Sequence, residues 1–396
     1  MTVGRGEMAS GADEPVEQID LRVDIADTVG DDEIDDSAID AMLEDVGTVP
    51  APPTPARKPR TALVLGAGGT MGIAYHAGVV KALSDAGLDQ EVVDLVLGTS
   101  AGSIVGSILR CGHDVDRVWQ LAHDDVNPFM EGAPFFRPEV VFSQGWRTPM
   151  GLARRIVGSG YVIPRSIVKW PVVTPPAVLQ RFYRGGLASV TEQRAEYALW
   201  TGEDWPDGLL WLCAFDIVTG RRIVLGQRVD SRPPLPDAMR ASSAVPIMYP
   251  PVRFGRRLLV DGAVSSSTNL DVAIEAGAEF VVVAAPLAYD HEDPPSMHLR
   301  VTREFMDRKV RNEVKRAEKA GVKVLLIRPN AEEAEVQGLN FLRSGGNAEV
   351  ADLSHRATRA ALATPAGRAF ARSWRAANRS TARAVARERA GDAASA

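Results

Sequence analysis

LVLGAGGTMG at residues 63–72 and LVLGTSAG at residues 95–102 decide how this chain reads. Each is a short apolar run that ends in glycine, and in the second Gly98, Thr99, Ser100, Ala101 and Gly102 spell G-x-S-x-G. That pattern is a nucleophile elbow, in which small flanking residues let the backbone bend sharply between strand and helix and leave a serine hydroxyl exposed at the helix N-terminus. Working outward, Thr61–Leu65 is a β-rich run stopped at Gly66, and Ile73–Ala86 has the spacing of a helix stopped by Gly87. Val92–Leu97 and Ser103–Arg110 repeat that order. Two successive strand–helix units predict an α/β fold with a mostly parallel sheet and right-handed crossovers. The chain reads first as a serine hydrolase.

Downstream, the rhythm breaks between Asp124 and Gly186 into a stretch rich in proline and aromatics, including Phe129, Phe135, Phe136, Trp146 and Trp170. It reads as an insert over the active-site face, covering the site and admitting acyl chains, or simply packing on the core. Strands are expected again at Leu209–Ile217, Arg222–Leu225, Leu258–Val260, Phe280–Ala284 and Val322–Ile327, with helices at Leu270–Ala276 and Arg300–Ala320 between them. No internal repeat is visible.

With 396 residues, 45% apolar and 24% charged, the chain can bury one large α/β core with tails. Its charge is uneven: residues 1–50 hold fifteen acids against Arg5 and Arg22, net −13, which leaves +7 for the remainder of a chain whose total is −6. This head, poor in aromatics and followed by Pro50, Pro52, Pro53 and Pro55, predicts a disordered acidic tail and linker over 1–58, ahead of a hydrolase domain over 59–345. The segment 346–396 is rich in alanine and arginine at helical spacing; from His355 to Arg389 it has nine arginines against Glu388 alone. A basic amphipathic helix of this kind either lies on an anionic membrane or exposes a solvated face. Acidic head and basic tail could also pair.

No secretory signal is visible, and the uncharged run 61–80 is broken by five glycines, which argues against a membrane span. Cys111 and Cys213 read as free thiols of a reducing compartment, and the six histidines show no paired metal spacing. A cytoplasmic protein without metal or organic cofactor is the expectation, and an acidic chain without a recognised motif gives no support to nucleic-acid binding.

Ser100 needs a base and an oxyanion site. The loop Gly66–Gly72 lies at the end of a neighbouring strand, where glycines let backbone N–H groups converge on a developing oxyanion, a contribution of about 3 to 4 kcal/mol per donor. Gly66, Gly69 and Gly72 also fit a dinucleotide phosphate cradle. For the base, Asp261 follows a short strand and precedes Gly262, where α/β sheets present their working groups, although a plain turn explains Asp-Gly equally well. A histidine-dependent triad in the order Ser, Asp, His would have to recruit His291, His298 or His355, all of which read as surface residues.

Taken together and in order, the glycine loop, Gly98–Gly102, the run AMRASSAVPIMYPPVRFGRRLLVDGA at 238–263, and within it Asp261-Gly262-Ala263, resemble the patatin-like phospholipase family. The resemblance covers residues 61 to about 330. It implies a three-layer α/β/α sandwich and a Ser-Asp dyad without histidine, with Ser100 as nucleophile and Asp261 as base. The backbone of Gly68 and Gly69, flanked by Ala67 and Thr70 and closed by Gly72, would supply the oxyanion hole. It also implies a lipid acyl ester as substrate; association with a membrane surface is the expectation of the basic C-terminal helix alone. The family loop usually reads G-G-G-x-R/K-G, whereas this chain has Ala67 at the first of those glycines and Met71 in place of the basic residue. A missing cation implies weaker anion stabilisation or a different substrate. A patatin-fold lipid-binding protein with little turnover, a histidine-dependent α/β-hydrolase and an NAD(P)-binding protein remain the alternative readings.

Overall fold

The computed structural model describes residues 58–88, 93–124, 191–246, 248–343 and 345–379, together with Gly47. Apart from Gly47, Lys58 and Asp124, the expectations for the acidic head and for the insert lie outside the described residues, as do residues 380–396. The strands are β1 (Thr61–Leu65), β2 (Leu95–Thr99), β3 (Leu209–Asp216), β4 (Arg221–Leu225), β5 (Val252–Phe254), β6 (Arg257–Asp261), β7 (Phe280–Ala284) and β8 (Lys323–Ile327). The helices used below are α1 (Gly69–Asp85), α2 (Ala101–Arg110), α3 (Val115–His123), α4 (Thr191–Thr201), α5 (Leu235–Ser243), α6 (Leu270–Ala276), α7 (Met297–Lys319), α8 (Ala331–Gln337) and α9 (Asn347–Ala363).

All eight strands join one sheet in the order β5-β6-β3-β2-β1-β7-β8, with β4 added beside β3. The pairs β3–β2, β2–β1, β1–β7 and β7–β8 are parallel, while β4 and β6 run antiparallel to β3. Side chains alternate across the sheet. Leu63, Leu65, Val96, Leu210 and Leu212 enter one apolar core, whereas Ala62, Val64, Leu95, Leu97 and Trp211 enter a second. The first core is completed by α1, α2, α3, α5 and α9, the second by α6 and α7. Strands buried on both faces need helices on both faces, which is the three-layer α/β/α sandwich with a mostly parallel sheet.

The register along β3 brings two distant strand ends together. Thr99 at the end of β2 pairs with Cys213, and Asp261 at the end of β6 pairs with the next residue, Ala214. Because β4 occupies one edge of β3 from Leu212 to Asp216, β2 and β6 share the opposite edge, approaching from opposite directions. Their ends therefore meet one residue step apart, about 3.8 Å along β3.

The basic segment after residue 345 is part of the core. Val350, Ala351 and Leu362 of α9, and Ala371 and Trp374 of a helical stretch over 365–379, are buried in the first core. Ser354 Oγ donates to the Tyr75 carbonyl at 3.0 Å, and a Cβ at Gly78 would lie 2.0 Å from that hydroxyl, so α1 and α9 cross in close contact. Arg375 donates to the Ala86 carbonyl, and Thr61 Oγ1 donates to Asn378 Oδ1 at 2.6 Å. The folded body thus continues past residue 346, and the apolar side of the expected membrane helix is spent on packing as far as residue 379. Among the described residues no helix is long and apolar enough to cross a membrane.

Candidate active site

Ser100 sits between β2 and α2 with φ 54° and ψ −120°, a left-handed backbone for a residue that is not glycine. Such a conformation costs on the order of 1 to 3 kcal/mol and persists only when its surroundings enforce it. Enforcement comes from several sides. The Ser100 amide donates to Ser242 Oγ at 3.1 Å, and that hydroxyl donates onward to the Cys213 carbonyl at 2.8 Å. The Ser100 carbonyl accepts from Ser103 Oγ at 2.6 Å and from the amides of Ser103 and Ile104. Gly98 and Gly102 are needed for space rather than for φ: a Cβ at Gly102 would stand 2.0 Å from the Leu65 carbonyl oxygen, and one at Gly98 would stand 2.5 Å from Ser103 Cα.

Asp261 ends β6 with its amide donating to the Ala244 carbonyl at 2.9 Å, and its carboxylate accepts the Ala263 amide at 2.7 Å. Gly262 lets this turn press on β3, since a Cβ there would lie 2.2 Å from the Cys213 carbonyl oxygen. Ser100 and Asp261 are both buried, and the serine side chain reaches the Asp261 carboxylate. Burial pushes the Asp261 carboxyl up from 3.8 to about 6, while the Ser100 hydroxyl and the Ala263 amide draw it part of the way back.

The glycine loop is the N-terminal turn of α1, which begins earlier than its apolar spacing predicts, at Gly69 with Gly68 as N-cap. Most of its amides are committed. Gly66 donates to Ala284 O at 2.9 Å, Ala67 to Ser267 O at 2.7 Å, Met71 to Phe341 O at 3.1 Å and Gly72 to Gly68 O at 2.8 Å. Ala67 is therefore set apart from the other loop residues as an anion donor. Among the described residues the amides of Gly68, Gly69 and Thr70 have no acceptor, as the first turn of a helix leaves them. Gly69 has φ 61° and packs on Phe341, whose carbonyl oxygen a Cβ would meet at 2.5 Å. The loop and the elbow share one anchor: the Gly66 carbonyl accepts both the Gly102 amide at 3.2 Å and His76 Nε2 at 2.7 Å. A carbonyl can only accept, so the His76 proton is on Nε2, and among the described residues the buried Nδ1 has no partner. Burial lowers this imidazole to about 4 and keeps it neutral. Met71, fully buried, turns its sulfur to Arg343, whose Nε lies 3.4 Å away. A guanidinium thus stands beside the position where the basic residue was expected.

The histidines considered for a triad lie elsewhere. His291 bonds Asp307 at 2.7 Å, His298 bonds Ser296 at 2.9 Å and His355 bonds Asp85 at 2.8 Å; none of these partners belongs to the serine's surroundings.

The sequence profile of the patatin-like phospholipase family matches residues 63–274, from β1 through the elbow and the Asp-Gly turn into α6. The chain belongs to the patatin-like phospholipase family. Uncharacterised NTE family proteins of Mycobacterium bovis and Mycobacterium tuberculosis are each 27% identical to it over 210 residues, which is 53% of this chain and 27% of theirs. The chain thus spans about a quarter of the length of these relatives. The lysophospholipase nte1 of Aspergillus fumigatus is 51% identical over 53 residues, 13% of this chain and 3% of that protein. Among solved structures, VipD from Legionella pneumophila aligns with a TM-score of 0.38 at 12% identity, covering 81% of this chain and 70% of its own. The type III effector ExoU aligns at 0.34 and 14% identity, covering 79% and 53%.

Within this patatin-like arrangement, sequence reasoning missed three supports. Ser242 was legible as part of the run at 238–263 but not as the acceptor for the Ser100 amide. Asn269, with φ 52°, donates from Nδ2 to Thr99 Oγ1 at 3.0 Å and to the Gly262 carbonyl at 3.5 Å, tying the elbow to the Asp-Gly turn. Asparagine is one of the few residues that tolerates the left-handed region, and that was the signal available. His76 carried no signal beyond its position inside an apolar helix.

Proposed function

We propose that this protein is a serine-dependent lipid acyl hydrolase in which Ser100 is the nucleophile, Asp261 the general base and the amides of Gly68, Gly69 and Thr70 the oxyanion donors. The observation that carries this reading is the buried Asp261 carboxyl, raised to about 6 and in reach of a serine held at φ 54°. An ordinary aspartate, near pKa 3.9, is a poor base; one near 6 is ionised at neutral pH yet basic enough to take a proton in the transition state.

Ser100 Oγ attacks the ester carbonyl carbon as its proton passes to Asp261. The oxyanion that forms faces the helix N-terminus and its three free amides. Collapse breaks the bond to the alcohol, which leaves with the proton from Asp261, and the acyl group remains on Ser100. Water then gives a proton to the same carboxylate as its oxygen attacks the acyl carbon. The second collapse returns the proton to Ser100 Oγ and releases the carboxylic acid. Family membership and the nte1 relative, whose name denotes a lysophospholipase, support a phospholipid or lysophospholipid ester as the substrate class.

The test is release of p-nitrophenol from acyl esters by the purified chain, beside Ser100→Ala and Asp261→Asn, with a fluorophosphonate to label the serine. Turnover lost in both variants and labelling lost in Ser100→Ala are expected. Asp261→Asn turning over near the parent rate would overturn the dyad, and a folded parent that neither turns over nor labels would leave a lipid-binding protein.

A further inference from the structure

We propose that Glu313 of α7 is a positioning residue for the reaction: the hydrogen bonds its carboxylate accepts fix the segment 266–270, and that segment holds the elbow, the Asp-Gly turn and the glycine loop against one another. Its catalytic meaning rests on the reading of Ser100 and Asp261 given above.

The segment runs into α6 without regular structure over 266–269, yet Ser266, Ser267, Thr268 and Asn269 are all buried. Buried backbone outside helices and strands has to find its hydrogen bonds elsewhere, and here it bonds to all three working elements. The Ser267 carbonyl accepts the Ala67 amide of the glycine loop at 2.7 Å. Asn269 Nδ2 donates to Oγ1 of Thr99, the residue before the nucleophile, at 3.0 Å, and to the carbonyl of Gly262, the residue after the base, at 3.5 Å. Arg222, paired with Asp271 at 2.7 Å, donates to Asn269 Oδ1 at 3.1 Å and so sets which end of the amide faces the elbow. Asn269 does this from φ 52°, a backbone that its surroundings must enforce.

Glu313 supplies that enforcement. Its Oε2 accepts Thr268 Oγ1 at 2.6 Å and the Leu270 amide at 3.1 Å, so one oxygen anchors the residues on both sides of Asn269. The Ser266 hydroxyl also bonds this carboxylate, and its oxygen accepts the amides of Thr268 and Asn269 at 3.3 and 3.1 Å. Glu313 is itself buried; burial raises its carboxyl above the ordinary range, while the hydrogen bonds from Ser266, Thr268 and Leu270 draw it part of the way back. A carboxylate withdrawn from water is costly unless it is hydrogen-bonded, and these donors come from one short segment. One helical turn earlier, Lys309 donates to the Ser265 carbonyl at 2.9 Å, so α7 holds the start of the segment as well.

The experiment compares Glu313→Ala, Glu313→Gln, Asn269→Gly and the double variant Glu313→Ala/Asn269→Gly with the parent on p-nitrophenyl butyrate. Circular dichroism and urea unfolding check folding, and amide hydrogen exchange by mass spectrometry gives a readout independent of turnover. Glycine at 269 keeps the left-handed backbone and removes the side-chain amide. Glu313→Ala is expected to lower kcat about tenfold or more with KM within about threefold, because misplaced catalytic groups are felt in the transition state. Glu313→Gln, which keeps an acceptor oxygen, should recover most of that loss. Because Glu313 acts through the segment that carries Asn269, the double variant should lose little more than the worse single variant. Peptides covering 66–72, 98–104 and 261–264 should exchange faster in Glu313→Ala, and those of β8 and α9 at the parent rate. Thr268→Val, which removes one donor to Oε2, is the milder variant should Glu313→Ala fail to fold, with the same pattern expected at about threefold in kcat. Losses that multiply in the double variant, Glu313→Gln as impaired as Glu313→Ala, or exchange that rises evenly across the folded body or in none of the three peptides would overturn the positioning role. Faster exchange confined to those peptides, in a parent that hydrolyses no ester, would uphold the placement by Glu313 and overturn the catalytic reading.

Discussion

Asp261 carries opposite consequences for activity and stability, and both are measurable. The proposed base must be ionised, so kcat/KM on a neutral ester is expected to rise through a pKa of about 6 and to fall tenfold per pH unit well below it. The stability effect runs the other way. Between 3.8 and about 6 the folded protein keeps a proton that the unfolded chain has released, so folding stability falls as pH rises through this window, and the loss is complete above it. A shift of about two units corresponds to about 3 kcal/mol. Asp261→Asn, which removes the buried charge, is therefore expected to abolish turnover and yet raise stability by up to about 3 kcal/mol at pH 8, with the gain vanishing near pH 4, as read from urea unfolding at both pH values. Met71 makes a second prediction at this scale. It has no exposed surface and its sulfur lies against the Arg343 guanidinium. Met71→Arg, which restores the basic residue of the family loop, buries a second cation beside the first and is expected to cost about 3 kcal/mol or more in urea unfolding.

At the scale of elements, the elbow depends on a helix far away in sequence. Ser242, one residue before the end of α5, bridges the Ser100 amide to the Cys213 carbonyl of β3. Ser242→Ala leaves both groups buried and unpaired, an expected loss of about 1 to 3 kcal/mol in stability. The strained turn also loses one of its restraints, so kcat is expected to drop by about tenfold or more with KM little changed, and Ser242→Thr, which keeps a hydroxyl, should recover part of it; steady-state kinetics on one ester read all three. The sequence identifies the strand–glycine–helix units because apolar runs and glycine stops are local signals. It leaves undecided whether Asp261-Gly262 is a working site or a plain turn, because that depends on which strand β6 joins.

For the molecule as a whole, the C-terminal segment is the element that composition misreads. Nine arginines and a series of alanines suggest a surface helix, yet Trp374 is 2% exposed and, with Val350 and Leu362, closes the core over α1. Trp374→Ala is expected to lower stability by about 3 to 5 kcal/mol in chemical denaturation, with labelling of Ser100 by a fluorophosphonate retained where the variant remains folded. The arginines mislead because net charge reports the solvent side of a helix, while its small-residue side is what allows close packing, as the contact of Gly78 with Ser354 and Ala351 demonstrates.

From residues 63–102 alone come the α/β class, the elbow serine and the glycine loop, because each depends on neighbours within a few positions. Glycine steric freedom and apolar periodicity are written locally, and the ordered run from Gly66 to Ala263 carried the family resemblance. Tertiary structure decided the rest. The meeting of Ser100 with Asp261 follows from β2 and β6 ending on the same edge of β3, opposite Cys213 and Ala214. Which loop amides remain free depends on acceptors contributed by Ala284, Ser267 and Phe341, more than two hundred residues away or nearly so. The basicity of Asp261 comes from burial, and burial is a property of the folded molecule alone.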